Sequence, residues 1–340
     1  MTVPELVQGK RRGSMRVGHL LVIIVCTILL FPLLGWAAGK NHVYVSNEKD
    51  NTVSVLDLQT DKVIATIPVG ERPRDLKLSV DKRHLYVALG EENALGVIDT
   101  ETLKVVDHLP AGDDPEMFIV HPNGKYIYIS NEDQNTASVI DIETKKVVQE
   151  IPVGIEPEGV GVNDDGRWVC VTSESTSMVH IIDTRVQKEV ATVPVDLRPR
   201  ECVFSHDGKK LWVSSERGAS VSVIDTSSWQ IVQRIEIRMR GIRKYDITPK
   251  EIELTRDGRL AFVSLGRANH VAVIDARTYK IRKFLLVGGR PWGMDLTSDD
   301  GKLYVANGTS NDVSIVDVKR LEVIKSVPTG RFPWTVLVND

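Results

Sequence analysis

The sequence predicts an all-β protein, a seven-bladed β-propeller with four antiparallel strands per blade, its ring closed by the C-terminal strand. Three observations predict it. An aromatic or apolar anchor recurs at Tyr44, Tyr86, Tyr128, Cys170, Trp212, Phe262 and Tyr304, at spacings of 42 residues interrupted once by 50. An aspartate closing an xVxVID run follows the same beat, at Asp57, Asp99, Asp141, Asp183, Asp225, Asp275 and Asp317. So does a proline, at Pro73, Pro115, Pro157, Pro199, Pro249, Pro291 and Pro333. A fixed period of this length marks a repeat architecture, in which each unit buries its faces against its neighbours.

Each unit holds four short runs with alternating or β-branched character. The first begins at the proline, where the missing N–H costs no ladder bond. The second reads Tyr44-Val45-Ser46-Asn47, Tyr128-Ile129-Ser130-Asn131 or Tyr304-Val305-Ala306-Asn307. The third is the xVxVID run, whose aspartate precedes a turn and is read as bonding nearby backbone. The fourth is of the VxxxIPVG type, as in Val63 to Gly70 and Val147 to Gly154. Asn123-Gly124, Asp165-Gly166, Asp207-Gly208, Asp257-Gly258 and Asp300-Gly301 join first and second runs, glycine supplying the positive φ of a tight hairpin. No segment sustains a helical period.

Closure follows by counting. The repeats begin with a second strand, His42 to Ser46, and end with an unpartnered first strand, Pro333 to Val338. The last strand can therefore complete the first blade and leave no open edge. Residues 39–340 are expected to form one propeller, with no room for a linker.

Residues 1–38 differ in kind. Lys10, Arg11, Arg12 and Arg16 precede an apolar stretch from Leu20 to Leu34, followed by Gly35-Trp36-Ala37-Ala38. This is the pattern of a secretory signal peptide, with cleavage expected after Ala37. An uncleaved membrane anchor is the alternative, because the stretch is nearly long enough to span a bilayer. Otherwise no membrane span is expected. Removing this segment takes away four basic residues and Glu5, so the net charge moves from −3 to −6. The charge gives no sign of a nucleic-acid surface, and no nucleic acid is expected as a partner. Cys170 and Cys202 would remain as the cysteines, both at positions apolar in other repeats and so expected as buried thiols. The absence of CxxCH excludes covalently attached c-type haem.

In an up-and-down blade the fourth-to-first and second-to-third connections emerge on one face. The residues flanking each proline are thus the candidates for a channel rim. Before the prolines stand Arg72, Asp114, Glu156, Arg198, Thr248, Arg290 and Phe332; after them stand Arg74, Glu116, Glu158, Arg200, Lys250, Trp292 and Trp334. Four carboxylates on neighbouring blades lie between two arginine pairs, with an Arg-aromatic sector across the ring. Either these charges pair to hold loops, or they form a funnel for a charged or aromatic ligand or a protein loop. Arginine neighbours are expected to keep the carboxylates ionised, which argues against a general-acid pair and against a hard-cation site. The one insertion reaches the same face and carries Arg238, Arg240, Arg243, Lys244 and Tyr245. It reads as loop drift or as a partner-docking or ligand-capping loop. GxSxG, HExxH, P-loop and CxxC motifs are absent, and the histidines form no spaced ligand set.

Across residues 42–340 the YVSN, xVxVID and IPVG-x-x-P elements together resemble the YVTN-type β-propeller repeat family. In overall form the chain resembles the PQQ-dependent catabolism-associated β-propeller proteins within it. The resemblance implies a periplasmic, non-catalytic, monomeric binding or accessory protein. Its implied partner is a quinoprotein dehydrogenase or a cytochrome. No catalytic residue, metal or cofactor of its own is expected. Haem-d1-related propellers use histidine at the cofactor, and here no histidine occupies one of the proline-flanking rim positions. Quinoprotein dehydrogenases carry tryptophan-docking repeats and a vicinal cysteine pair, which this chain lacks. The reading from the other class is an enzyme, or a cofactor- or metal-handling propeller, with its site in the central channel.

Overall fold

The computed structural model describes residues 41–340. The segment expected as a signal peptide lies outside them. Among the described residues, seven four-stranded antiparallel sheets form. Blade 1 joins Pro333–Asn339 to His42–Asn47, Thr52–Asp57 and Lys62–Pro68. Blades 2 to 7 begin with the inner strands Pro73–Leu78, Pro115–Val120, Pro157–Val162, Pro199–Phe204, Pro249–Leu254 and Pro291–Leu296. The expected propeller and its blade count are observed. No helix among the described residues is long and apolar enough to cross a membrane.

The C-terminal strand closes the ring as counted. His42 pairs with Asn339, Val43 with Val338, Tyr44 with Leu337 and Val45 with Val336. The Asn41 amide also donates to the Asn339 carbonyl at 2.6 Å.

The motifs have physical reasons. The repeating anchors Tyr44, Tyr128, Cys170, Phe262 and Tyr304 are fully buried, and apolar clusters form where the faces of neighbouring sheets meet. The serine of the YVSN strand stitches blades together. Ser46 Oγ donates to the Arg74 carbonyl at 2.6 Å, and Ser264 Oγ to the Trp292 carbonyl at 2.7 Å, each in the next blade. Thr172 Oγ1 does the same to Arg200 at 2.9 Å. The asparagine after that serine accepts from the IPVG glycine, as from Gly112 N to Asn131 Oδ1 at 3.1 Å. A Cβ on Gly112 would lie 2.2 Å from the Asn131 side chain, so only glycine fits. The aspartates closing the third strands are structural, as expected. Asp57 Oδ1 accepts from the Thr60 amide at 2.8 Å and Asp99 Oδ1 from the Thr102 amide at 2.7 Å.

One turn departs from expectation. Gly124, Gly166, Gly208 and Gly258 carry the positive φ, but in blade 7 it falls on Asp300, at 55°. The Asp300 amide donates to the Thr297 carbonyl, just as the Gly124 amide donates to His121. Asp300 therefore occupies the glycine position and Gly301 the one after it; aspartate tolerates left-handed backbone better than most residues.

Candidate functional site

The proline turns shape one end of the ring. Six of the seven residues before the prolines adopt left-handed backbone: Arg72, Asp114, Glu156, Arg198, Arg290 and Phe332, with φ from 50° to 57°. That conformation costs a non-glycine residue roughly 1 kcal/mol or more. A local clasp offsets it. The Asn51 side chain accepts from Arg72 N at 3.2 Å, Asn93 from Asp114 N at 3.1 Å and Asn269 from Arg290 N at 2.8 Å. The carbonyl of the same residue accepts from the residue following the second strand. Glu132 N donates to Asp114 O at 3.2 Å, Glu174 N to Glu156 O at 2.8 Å and Glu216 N to Arg198 O at 2.8 Å. The clasp brings Glu132, Glu174 and Glu216 to the rim. None was among the expected residues. Their signal was present, since Glu48, Glu132, Glu174 and Glu216 stand on the 42-residue beat.

The expected charges are largely paired with one another. Arg72 reaches Asp114 at 2.5 Å and Glu116 at 2.8 Å, and Arg74 reaches Glu116 at 3.1 Å. Arg200 binds Glu158 and Glu174; Arg198 lies 2.6 Å from Glu174 and 3.2 Å from Glu216; Lys250 lies 2.9 Å from Glu216. Glu116, Glu158, Glu174 and Arg200 are buried. The loop-holding role therefore accounts for the deepest of these charges.

Burial changes the electrostatics that the arginines alone would set. It pushes the Glu116 carboxyl well above the usual range, with the nearby Glu158 adding to the effect against Arg74 and Arg72. At Glu116 burial therefore works against the flanking arginines, because the side chain has lost its water. At Glu216 burial raises the pKa too, but Lys250 and Arg200 outweigh it and the net shift is downward. Burial, reinforced by Arg200, lowers Lys250 to about 7.

Aromatic packing closes this end of the channel. Met117, Trp292 and Trp334, from blades 3, 7 and 1, meet across the axis. The two indoles lie 5.7 Å apart, tilted by 33°. Cations stack on them: Arg74 at 5.4 Å from the Trp334 ring, Lys250 at 4.3 Å and Arg290 at 4.9 Å from the Trp292 ring. A void of only about 10 Å³ remains beside them. A channel ligand has no room here.

What stays open lies farther out. Glu156 and Arg198 line a cleft of about 410 Å³, with Glu132, Glu174 and Leu197. The three consecutive turns leading into blades 4, 5 and 6 carry Ile155, Leu197 and Tyr245, which are 54%, 63% and 56% exposed. In the insertion, Arg238, Arg240, Arg243 and Lys244 are exposed too. Its end is ordered by a short 3-10 turn, Lys244–Asp246, and by Arg243, which lies 2.8 Å from Asp246 and stacks 4.2 Å from the Tyr245 ring. Met239 and Ile242 anchor it on the core between blades 5 and 6.

The residues suit neither of two familiar cofactors. Ligand oxygens of Asp114, Glu116 and Glu132 lie within 4.8 Å of one another, yet Arg72 already binds two of the three acids. A cation there would have to displace that guanidinium. Haem would need an axial ligand, and no histidine stands at the residues flanking the seven rim prolines.

A model of the YNCE-like β-propeller matches residues 70–166, and the choice-of-anchor I domain model matches residues 141–326, more than half of the chain. No curated protein matches. Among solved structures, Kuenenia stuttgartiensis hydrazine synthase is similar at 22% identity and TM-score 0.70, covering 77% of this chain and 88% of its own. The dihydro-heme d1 dehydrogenase NirN in complex with DHE is similar at 18% identity and TM-score 0.65, covering 88% of this chain and 75% of its own. At these identities the likeness is one of fold.

Proposed function

The chain belongs to the choice-of-anchor I domain family, and on that premise we propose that it is a non-catalytic periplasmic binding propeller. It acts beside a PQQ-dependent alcohol-oxidation system by docking a protein partner, a quinoprotein dehydrogenase or a cytochrome, on its proline-turn face. The observation that carries this reading is the run of exposed Ile155, Leu197 and Tyr245 on three consecutive turns. Large apolar side chains, set beside a polar cleft and a basic loop, are what a docking surface presents. The inner charges support this division of labour. They are spent on one another and hold the turns, while Ile155, Leu197 and the exposed Arg240, Lys244 and Tyr245 of the insertion are left to meet a partner.

The test is purification of the native protein from the periplasm after cross-linking, beside a Leu197→Asp/Tyr245→Asp variant. The expected result is a redox protein that co-purifies with the wild type and is lost from a variant with an unchanged melting temperature. Equal recovery by both would overturn the assignment. A stoichiometric cofactor in the purified wild type would favour the channel reading instead.

A further inference from the structure

The far end of the ring holds a second constellation. Inner-strand residues Lys77, Glu201, Glu251, Glu253 and Asp295 line a cavity of about 290 Å³. Asp164 and His206, from the turns opposite the proline face, stand at its mouth. Ile119, Val203 and Leu337 form an aliphatic wall.

Two of the acids have structural work. Asp75 lies beneath the cavity, accepts from Phe118 N at 3.1 Å in the next blade, and pairs with Lys77 at 2.7 Å. Asp295 accepts from Val338 N at 2.6 Å and Leu296 N at 2.8 Å. Glu201, Glu251 and Glu253 do not. None of their carboxylates has a hydrogen bond or an ion pair among the described residues, although Glu201 is only 6% exposed. An unpaired carboxylate withdrawn from water is costly, and three around one lysine leave the cavity short of positive charge. Burial holds all three well above the usual carboxylate range, with mutual repulsion adding to it at Glu251 and Glu253.

The spacing selects the kind of cation. A single metal ion needs its oxygens gathered within one coordination shell. The only described trio of acids that compact is Asp114, Glu116 and Glu132, at the other end of the ring. Here no three of the carboxylates come that close, and the lining also includes the aliphatic side chains of Ile119, Val203 and Leu337. We propose that this cavity binds an aliphatic diamine or polyamine, its ammonium groups on Glu201, Glu251 and Glu253 and its methylenes against Ile119, Val203 and Leu337.

The experiment is calorimetric titration of the mature protein, in physiological salt, with 1,4-diaminobutane, n-butylamine and calcium chloride. Diaminobutane should bind saturably, and n-butylamine at least about tenfold more weakly, the equivalent of one lost ion pair of about 1.4 kcal/mol. Glu251→Gln/Glu253→Gln should weaken the diamine at least about tenfold, with a melting temperature equal to the wild type or higher. Glu132→Gln, at the opposite end, should change nothing. Absent saturable binding would overturn the proposal. So would equal affinity in the double variant, or displacement of the diamine by an equimolar amount of calcium.

Discussion

Arg72 Nη2 lies 2.8 Å from Glu116 Oε1, yet Glu116 still holds its proton more tightly than a free glutamate. The pair is deep enough for lost hydration to compete with the guanidinium. Arg72→Met should therefore leave Asp114 and Glu116 poorly compensated. It should cost about 3 kcal/mol at neutral pH, as breaking buried pairs does. The cost should shrink in mild acid, where Glu116 takes up a proton. Urea unfolding at the two pH values checks this; a pH-independent cost would mean that Glu116 stays charged.

Lys250 should titrate near neutrality, with a pKa of about 7. Burial beside Trp292 disfavours its ammonium form, Arg200 adds repulsion, and Glu216 only partly compensates. Side-chain NMR of the lysine Nζ and Cε resonances, assigned with Lys250→Arg, would show the shift. A Lys250 signal unchanged up to about pH 9 would refute it.

Stability should fall as pH rises through the range set by the far-end carboxylates. Burial raises Asp295 to about 6 and holds Glu201, Glu251 and Glu253 well above the ordinary value. A carboxyl whose folded pKa is raised binds more protons folded than unfolded. Its stabilisation is full below the unfolded pKa, about 4, and is lost as pH climbs through the folded one. The melting temperature of the ligand-free protein should drop between about pH 5 and pH 8, and Glu201→Gln/Glu251→Gln/Glu253→Gln should flatten that slope. A wild-type slope identical to the variant's would show that these groups are not perturbed.

Deletion of residues 333–340 should abolish the closed ring. It removes the inner strand of blade 1, including buried Trp334 and Val336, and exposes the edge of His42–Asn47. Size-exclusion chromatography should find aggregate in place of the full-length protein's peak; a folded species eluting there would show that the ring does not depend on this closure.

Cys170 and Cys202 are buried free thiols in neighbouring blades, and burial pushes the Cys202 thiol well above its usual value. Neither should react with a disulfide reagent until the protein is unfolded in denaturant. Rapid labelling of the native protein would contradict that.

The blade count, the strand order, the closure by Pro333–Asn339 and the structural aspartates were legible in the sequence. They rest on motifs repeated seven times at a spacing broken only once, and a side chain period of two residues leaves a strand little choice of face. The proline-flanking residues were legible for the same reason. Glu132, Glu174 and Glu216 obey the same beat, but their place at the rim depends on a clasp between two connections of one blade, which a single repeat does not display. The far-end cavity was not legible at all. Lys77, Glu201, Glu251, Glu253 and Asp295 sit on four six-residue strands that each read as an ordinary strand with one to three charges. Only when seven inner strands converge on one axis do those charges share a space without water enough to screen them. The sequence by itself thus determined the ring and its closure, because both follow from local periodicity. The tertiary structure decided which charges are paired, which are stranded and which end of the channel is open, because Coulomb energy and burial depend on distances between blades that no single repeat encodes.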